Sequence, residues 1–251
     1  MKSKLAIVDG RIPCDMLMAL RARGFLTVAL PPCPTLSEPV SSHPDMLIAR
    51  VGGEMLTTAD YCEIAGAEIS EIFDTLRSRF HFTSDTHGRD YPSDVIFNSL
   101  VMGDKLFARV DSLSVYLVRL AESAGLRLVN VAQGYPACTV LKLSDEAAIT
   151  ADRGMAEALR AEGIRVYLIE NGGISLPPYE FGFIGGASGV FGGAVYFLGD
   201  ASLHPSWDVI SDAVEKEGLR AVMLGRCELL DLGGIIFAES NIDKDNADGN
   251  E

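Results

Sequence analysis

The chain has 251 residues, 48% hydrophobic and 22% charged, which is enough apolar material to bury a substantial core and excludes a disordered protein. Lys and Arg number 21 against 35 Asp and Glu, a formal charge of −14 that disfavours nucleic acid and acidic membrane surfaces and suits small cationic or zwitterionic ligands. Five cysteines, Cys14, Cys33, Cys62, Cys138 and Cys227, form an odd and scattered set with no CxxC pair, so free thiols are expected rather than a disulfide framework or a structural zinc.

In chain order, the first residues, MKSKLAIVDGR, place an acid and an arginine too soon after a short apolar stretch for a signal-peptide core. No run reaches eighteen apolar residues, so a cytoplasmic protein without a membrane span is expected. LAIVD (5–9) reads as a short strand running into an aspartate ahead of a helix. The same pattern returns as MLTTAD (55–60), LFARVD (106–111), AAITAD (147–152) and VYFLGD (195–200). Aspartate there can accept hydrogen bonds from the unpaired amides of the next helix's first turn.

A second recurrent pattern joins a helix end to a strand: RARGFLTVAL (21–30), SAGLRLVNV (123–131), RAEGIRVYLI (160–169) and EKEGLRAVML (215–224), with a weaker copy in RSRFHFTS (77–84). The glycine predicts a left-handed helix cap, and the residues after it alternate as a strand does. Between these landmarks, Ile69, Ile72, Phe73 and Leu76 share one helical face, as do Val209, Ile210, Ala213 and Val214. The two patterns together predict a five-unit pseudo-symmetric α/β propeller with an internal repeat, one domain over 1–240, followed by an acidic flexible tail over 241–251. The last unit lacks a strand, and the N-terminal LAIVD is available to close the ring. A doubly wound sheet is the alternative, disfavoured by the excess of strands over helices and the absence of a GxGxxG or Walker-type loop.

Aligning the predicted middle strands, HPDMLI (43–48), YPSDVIF (91–97), YPACTVL (135–141), PPYEFGFI (177–184) and LLDLGGII (229–236), puts Asp45, Asp94, Glu180 and Asp231 at one position and Cys138 in the same place in the third unit. If the symmetry holds, these five side chains face a shared central space as a candidate ligand-binding ring, with Cys138 as the candidate nucleophile. Carboxylates that converge must be hydrated, share protons or hold a cation. Taken singly, each acid is as readily an exposed turn residue. Asn98 and Gln133 are further candidate ligand-binding residues, or satisfiers of backbone groups. In GFIGGASGVFGG (182–193), Gly185 and Gly186 belong to a turn-rich loop near the site that lets a ligand or another backbone approach. The loop has no P-loop lysine and is not followed directly by a helix. His204-Pro205-Ser206 reads as a helix start, with Ser206 as cap. The four histidines have no ligand spacing, so no metal and no cofactor are expected.

The five-unit plan resembles the pentein, or guanidino-modifying-enzyme, fold of arginine deiminases, dimethylarginine hydrolases, amidinotransferases and a ribosome-associated translation initiation factor. QGYPACTVLKLSDEAAITADRG (133–154), YEFGFIGGASG (179–189) and LLDLGGIIF (229–237) more closely resemble a bacterial family of unknown function with that fold. In those enzymes a last-unit cysteine in a Gly-Gly-x-x-Cys pattern attacks the guanidinium carbon, carboxylates hold its nitrogens and a histidine moves protons. Here Gly233-Gly234-Ile235-Ile236 is followed by Phe237, and the loop 182–193 has no histidine, so the resemblance does not bring the usual deiminase chemistry. Three readings remain: a binder of a small cationic or zwitterionic ligand; a hydrolase or amidinotransferase on a guanidine or amidine substrate using Cys138; and a non-enzymatic assembly factor with a protein partner.

Overall fold

The computed structural model describes residues 3–76 and 79–240; the tail expected over 241–251 lies outside these, as do Arg77 and Ser78 of the weaker fifth copy. In chain order the elements are β1 (Lys4–Asp9), α1 (Cys14–Arg21) and β2 (Phe25–Leu30), then the single turn α2 (Pro44–Leu47), β3 (Ala49–Val51), β4 (Glu54–Thr58), α3 (Ala59–Ile64), α4 (Gly66–Leu76) and β5 (Arg79–Thr83). There follow β6 (Leu100–Met102), β7 (Lys105–Ala108), α5 (Val115–Ser123) and β8 (Arg127–Asn130), then the turn α6 (Pro136–Thr139), β9 (Val140–Lys142), β10 (Ala147–Thr150), α7 (Arg153–Ala161) and β11 (Arg165–Leu168). The last stretch holds β12 (Ile174–Ser175), β13 (Ser188–Phe191), β14 (Ala194–Phe197), α8 (Trp207–Lys216), β15 (Arg220–Met223), β16 (Leu229–Leu230) and β17 (Ile236–Glu239).

This is a mixed α/β fold with five three-stranded sheets: β3-β4-β5, β6-β7-β8, β9-β10-β11, β13-β14-β15 and β17-β1-β2. In each, the central strand runs antiparallel to the strand before it and parallel to the strand that follows its helix. The central strands are the ones that lead to Asp9, Asp60, Asp111, Asp152 and Asp200. β1 lies between β17 and β2, with Lys4 opposite Glu239 on one side and Phe25 on the other. A separate two-stranded pairing joins β12 to β16.

The helices bury one face each, and the clusters they join follow a rule. Met16 and Leu20 of α1 pack with Leu198 and Leu224, beside the β13-β14-β15 sheet. Ile69, Ile72 and Leu76 of α4 pack with Leu5, Ile7, Val28 and Leu30 of the β17-β1-β2 sheet. Leu117 and Ala121 of α5 pack with Ala49, Val51 and Leu56; Met155 and Leu159 of α7 with Leu100, Met102 and Phe107; Ile210, Ala213 and Val214 of α8 with Leu141, Ala147 and Ile149. Each helix thus bridges its own sheet and the preceding one, and every fully buried Leu or Ile there contributes about 1.5–3 kcal/mol. Phe73 and Val209, expected on buried faces, are 48% and 39% exposed, so the apolar stripes are narrower than the sequence pattern implies.

Glycines at the helix ends, Gly24, Gly125, Gly163 and Gly218, all have positive φ between 70° and 83° and supply the left-handed residue that ends each helix. The aspartates divide. Asp152 accepts from the Met155 amide as the α7 cap, and Asp200 accepts from the Ser202 amide at a 3-10 turn, Ala201–Leu203. Elsewhere the capping oxygens belong to Thr58 for α3 and Ser114 for α5, while Asp9 is ion-paired with Arg11. Ser206 stands at the α8 N-cap without a capping bond; its hydroxyl accepts from the Glu170 amide instead.

The segments aligned as middle strands are the main correction. HPDMLI (43–48) holds the turn α2, and YPACTVL (135–141) holds α6 before β9 begins; 91–97 and 177–184 contain no strand. Pro44 and Pro136 sit at the first helical position, where the missing N–H costs nothing and the fixed φ favours the turn. A short apolar run after such a turn has no periodicity that separates strand from helix.

Gln133 is bound here rather than at a central space: its side-chain amide donates to Asp152 Oδ2 at 2.6 Å and its carbonyl accepts from the Tyr135 amide at 3.0 Å. Asp152→Ala removes acceptors for both Met155 and Gln133. We expect a loss of about 1–2 kcal/mol in urea unfolding with an unchanged m-value, and Asp152→Asn should retain more than half of the difference.

Candidate functional site

The turn α6 delivers Cys138 to a buried point where it meets the turn α2. Cys138 is 3% exposed, and its thiol donates to Asp45 Oδ2 at 2.6 Å. Asn98, 1% exposed, ties the two turns together: its carbonyl accepts from the Ala137 amide at 2.9 Å, and its amino group lies 3.4 Å from Met46 Sδ and 3.5 Å from Cys138 Sγ. Asp45 Oδ1 is buried with no partner among the described residues. Burial pushes the Asp45 carboxyl up to about 7, against the pull of the Cys138 hydrogen bond, and the charge of Asp231 raises it further. Burial, then the charges of Asp45 and Asp231, push the Cys138 thiol well above its ordinary value.

Asp231 follows β16 and is 2% exposed. It accepts from the Phe183 amide at 2.8 Å and from the Gly233 amide at 3.1 Å, yet burial still raises it to about 6. The loop glycines explain how it fits. A Cβ on Gly186 would stand 1.9 Å from Asp231 Oδ1, and one on Gly185 would stand 2.3–2.6 Å from the carbonyl oxygens of Ala137, Cys138 and Val140. Only glycine allows so close an approach. The Gly186 amide is spent on the Cys138 carbonyl at 2.9 Å, and those of Ala187 and Ser188 on Phe183 and Gly185, so this loop does not present a cradle for phosphate.

His43 is the residue that spacing rules miss. It precedes Pro44 as Tyr135 precedes Pro136, and the aligned segments HPD, YPSD and YPAC contained that correspondence. It is 1% exposed, and neither ring nitrogen has a hydrogen-bond partner. Nε2 lies 3.9 Å from Asp9 Oδ2, and Nδ1 lies 4.0 Å from Asp231 Oδ1. Burial lowers its pKa to about 4, against the pull of Asp9, so the ring is neutral at pH 7. Gly233 makes room for it, since a Cβ there would stand 2.3 Å from His43 Cβ. Ligand atoms of His43, Asp45 and Cys138 all lie within 4.8 Å of one another.

The expected five-membered ring is therefore incomplete. Asp94, 3% exposed, turns its Oδ2 to the Tyr135 hydroxyl at 2.6 Å and orients that ring instead of lining the cavity; burial raises its carboxyl. Glu180 is exposed on a loop and stands apart, because the segment 177–184 does not form the strand that would have aimed it inward. Phe237 packs with Phe25, Phe191 and Tyr196 in the core, at centroid distances of 4.9–5.5 Å. His204 is buried, with Nδ1 accepting from the Ser206 amide.

A cavity of about 200 Å³ opens over these residues. His43, Cys138 and Asp231 contribute its polar lining, and Tyr135, Tyr179, Phe181 and Phe183 its aromatic lining. It is smaller than the roughly 300–1,000 Å³ of drug-sized sites. Asp45 and Asp231 have no Lys or Arg partner among the described residues; the nearby Arg11 is held by Asp9.

No curated protein matches the sequence. Among solved structures, the chain is similar to SxtG, an amidinotransferase from Microseira wollei in the saxitoxin biosynthetic pathway, with TM-score 0.55, 11% identity, and 91% of this chain covering 93% of that one. DDAH from Pseudomonas aeruginosa complexed with citrulline gives TM-score 0.55 and 11% identity, over 89% of this chain and 92% of that one. Agmatine deiminase from C. jejuni gives TM-score 0.54 and 9% identity, over 89% and 90%. At such identities the likeness establishes the fold alone, the pentein or guanidino-modifying fold. No helix among the described residues is long and apolar enough to cross a membrane. Residues 7–236 match a family of unknown function, DUF6873, and the chain belongs to it.

Proposed function

We propose that the cavity binds a small organic cation with a guanidinium, amidinium or ammonium headgroup, held by Asp231 and Asp45 against the aromatic walls. The observation that carries this reading is a pair of buried carboxylates without a Lys or Arg partner among the described residues: Asp231 in the wall of a cavity lined by four aromatic rings, and Asp45 against Cys138 of the same wall. The neighbouring structures, named as an amidinotransferase, a DDAH and an agmatine deiminase, make a guanidino compound the first choice.

The reading includes the architecture. We take residues 1–240 as one domain, an α/β propeller of five sheets around an axis near Cys138. The rule that each helix bridges its own sheet and the preceding one supports this, because α1 bridges the β17-β1-β2 and β13-β14-β15 sheets and so makes the succession cyclic. Pairing of β1 with β17 supports it too.

A second reading, hydrolysis or amidino transfer at Cys138, is favoured by the short contact of Cys138 with Asp45 and the nearness of His43. Burial and neighbouring acids oppose thiolate formation, and a bound guanidinium would offset them. The Cys138 sulfur would then bond to the guanidinium carbon as its proton passes to Asp45. Asp45 would return that proton to the departing nitrogen, and water or an acceptor amine would release the product.

Agmatine, arginine and methylated arginines, tested by thermal shift with a chelator present, should stabilise the protein, by about 2.7 kcal/mol at one hundred times Kd. Affinity should rise with pH through about 6 and about 7 as Asp231 and Asp45 lose their protons, because only the ionised carboxylates attract the cation. Asp45→Asn should remove the upper step and weaken binding at least about tenfold. No shift with any of these cations, or unchanged affinity in the variant, refutes the cation site.

Turnover is measured separately, as ammonia, urea or ureido product from the same compounds. If the thiol reacts, Cys138→Ser abolishes product while leaving the thermal shift in place; product that survives this substitution eliminates Cys138 as nucleophile.

A further inference from the structure

We propose that His43, Asp45 and Cys138 form a binding site for a thiophilic divalent metal ion of the zinc class. The proposal shares residues with the organic-cation site but does not rest on that reading.

An imidazole nitrogen, a carboxylate oxygen and a thiolate sulfur make a donor set that zinc accepts in its three-ligand sites, where the fourth position stays open. Their ligand atoms lie within 4.8 Å of one another. In a tetrahedral zinc site with metal–ligand bonds of about 2.0–2.3 Å, ligand atoms stand roughly 3.5 Å apart. Closing the remaining gap takes side-chain shifts of about 1 Å.

The second observation is His43 itself. A fully buried imidazole ordinarily satisfies at least one nitrogen, and leaving a polar group unpaired costs about 1–3 kcal/mol. Here both nitrogens lack a hydrogen-bond partner, as does Asp45 Oδ1. The ring is pinned between carboxylates: Asp9 on the Nε2 side and Asp231 on the Nδ1 side, each about 4 Å away. That is the usual second partner of a zinc-bound histidine, a carboxylate that fixes the ring through the nitrogen not bound to metal. His43 and Cys138 both line the cavity, so the open metal position would face it.

Binding would replace the Cys138 proton by the metal: the S–H bond breaks, a metal–sulfur bond forms, and one proton leaves to solvent. No electron is exchanged. The divalent charge would offset Asp45, Asp231 and the new thiolate, and would exclude an organic cation from the same carboxylates. Spacing rules cannot detect the set, because 43 and 45 come from one turn and 138 from another.

The experiment uses chelator-stripped full-length protein titrated with Zn2+ by calorimetry and with Co2+ by absorption, without organic ligand. One equivalent should bind, with release of protons and, for Co2+, a thiolate-to-metal charge-transfer band. Cys138→Ser should abolish the band, and His43→Ala and Asp45→Asn should each weaken Zn2+ binding at least about tenfold. Cys227→Ser, a control at an exposed thiol, should change neither. Absence of the band in the wild type overturns the proposal, as does a band that survives Cys138→Ser but falls with Cys227→Ser. If Cys138→Ser fails to fold, Asp45→Asn with an intact thiol decides the matter: unchanged Zn2+ affinity there refutes the site.

Discussion

The approach of Gly185 and Gly186 to the turn carrying Cys138 is the contact on which the rest of the centre depends. Gly186 gives its amide to the Cys138 carbonyl, while its own carbonyl accepts the amides of Leu232 and Gly234 at 2.9 and 2.7 Å. One residue thereby ties together three distant segments, those before β9, β13 and β17. The absence of a side chain there seats Asp231, and the two amides that Asp231 accepts hold Phe183 and Gly233 in place. Phe183 lines the cavity, and Gly233 backs His43. A side chain at either glycine would displace the whole assembly rather than one contact.

The price of the arrangement is electrostatic. Asp45 has a folded pKa of about 7 against an ordinary 3.8, so its proton contributes stability that is complete below 3.8 and is lost as pH rises through about 7. His43 runs the other way: its pKa falls from 6.5 to about 4, so its contribution is present above 6.5 and lost as pH falls through about 4. The two opposing groups overlap across mildly acid pH and partly cancel. Conserving charge balance by burying an arginine beside Asp45 would be the simpler solution for stability alone. Among the described residues neither Asp45 nor Asp231 has such a partner; Arg11 is held by Asp9.

Much of the framework was legible in the sequence because it rests on local chemistry. Four glycines at helix ends and the apolar strands leading into Asp9, Asp60, Asp111, Asp152 and Asp200 each depend on short-range rules. The errors came where one pattern admits two conformations. His43-Pro44-Asp45 and Tyr135-Pro136-Ala137-Cys138 open helical turns, not strands, so extrapolated symmetry placed Glu180 inward when its loop leaves it exposed. Gln133 answered a cap aspartate nineteen residues away, a pairing that no periodicity encodes. His43 lacked ligand spacing along the chain: Asp45 stands in its own turn, but Cys138 comes from another turn almost a hundred residues on.

Sequence order and sheet order disagree at β1, and this bears on folding. β1 and β2 can pair locally through α1, but the other edge of β1 pairs with 236–239, far along the chain. Leu5, Ile7 and Val8, buried in the folded protein, belong to a strand left with an open edge until that long-range pairing forms. An apolar strand waiting for its partner is a template for pairing with another chain. Closing β17 onto β1 spans most of the described residues, so it is the sheet pairing with the largest loop-closure cost.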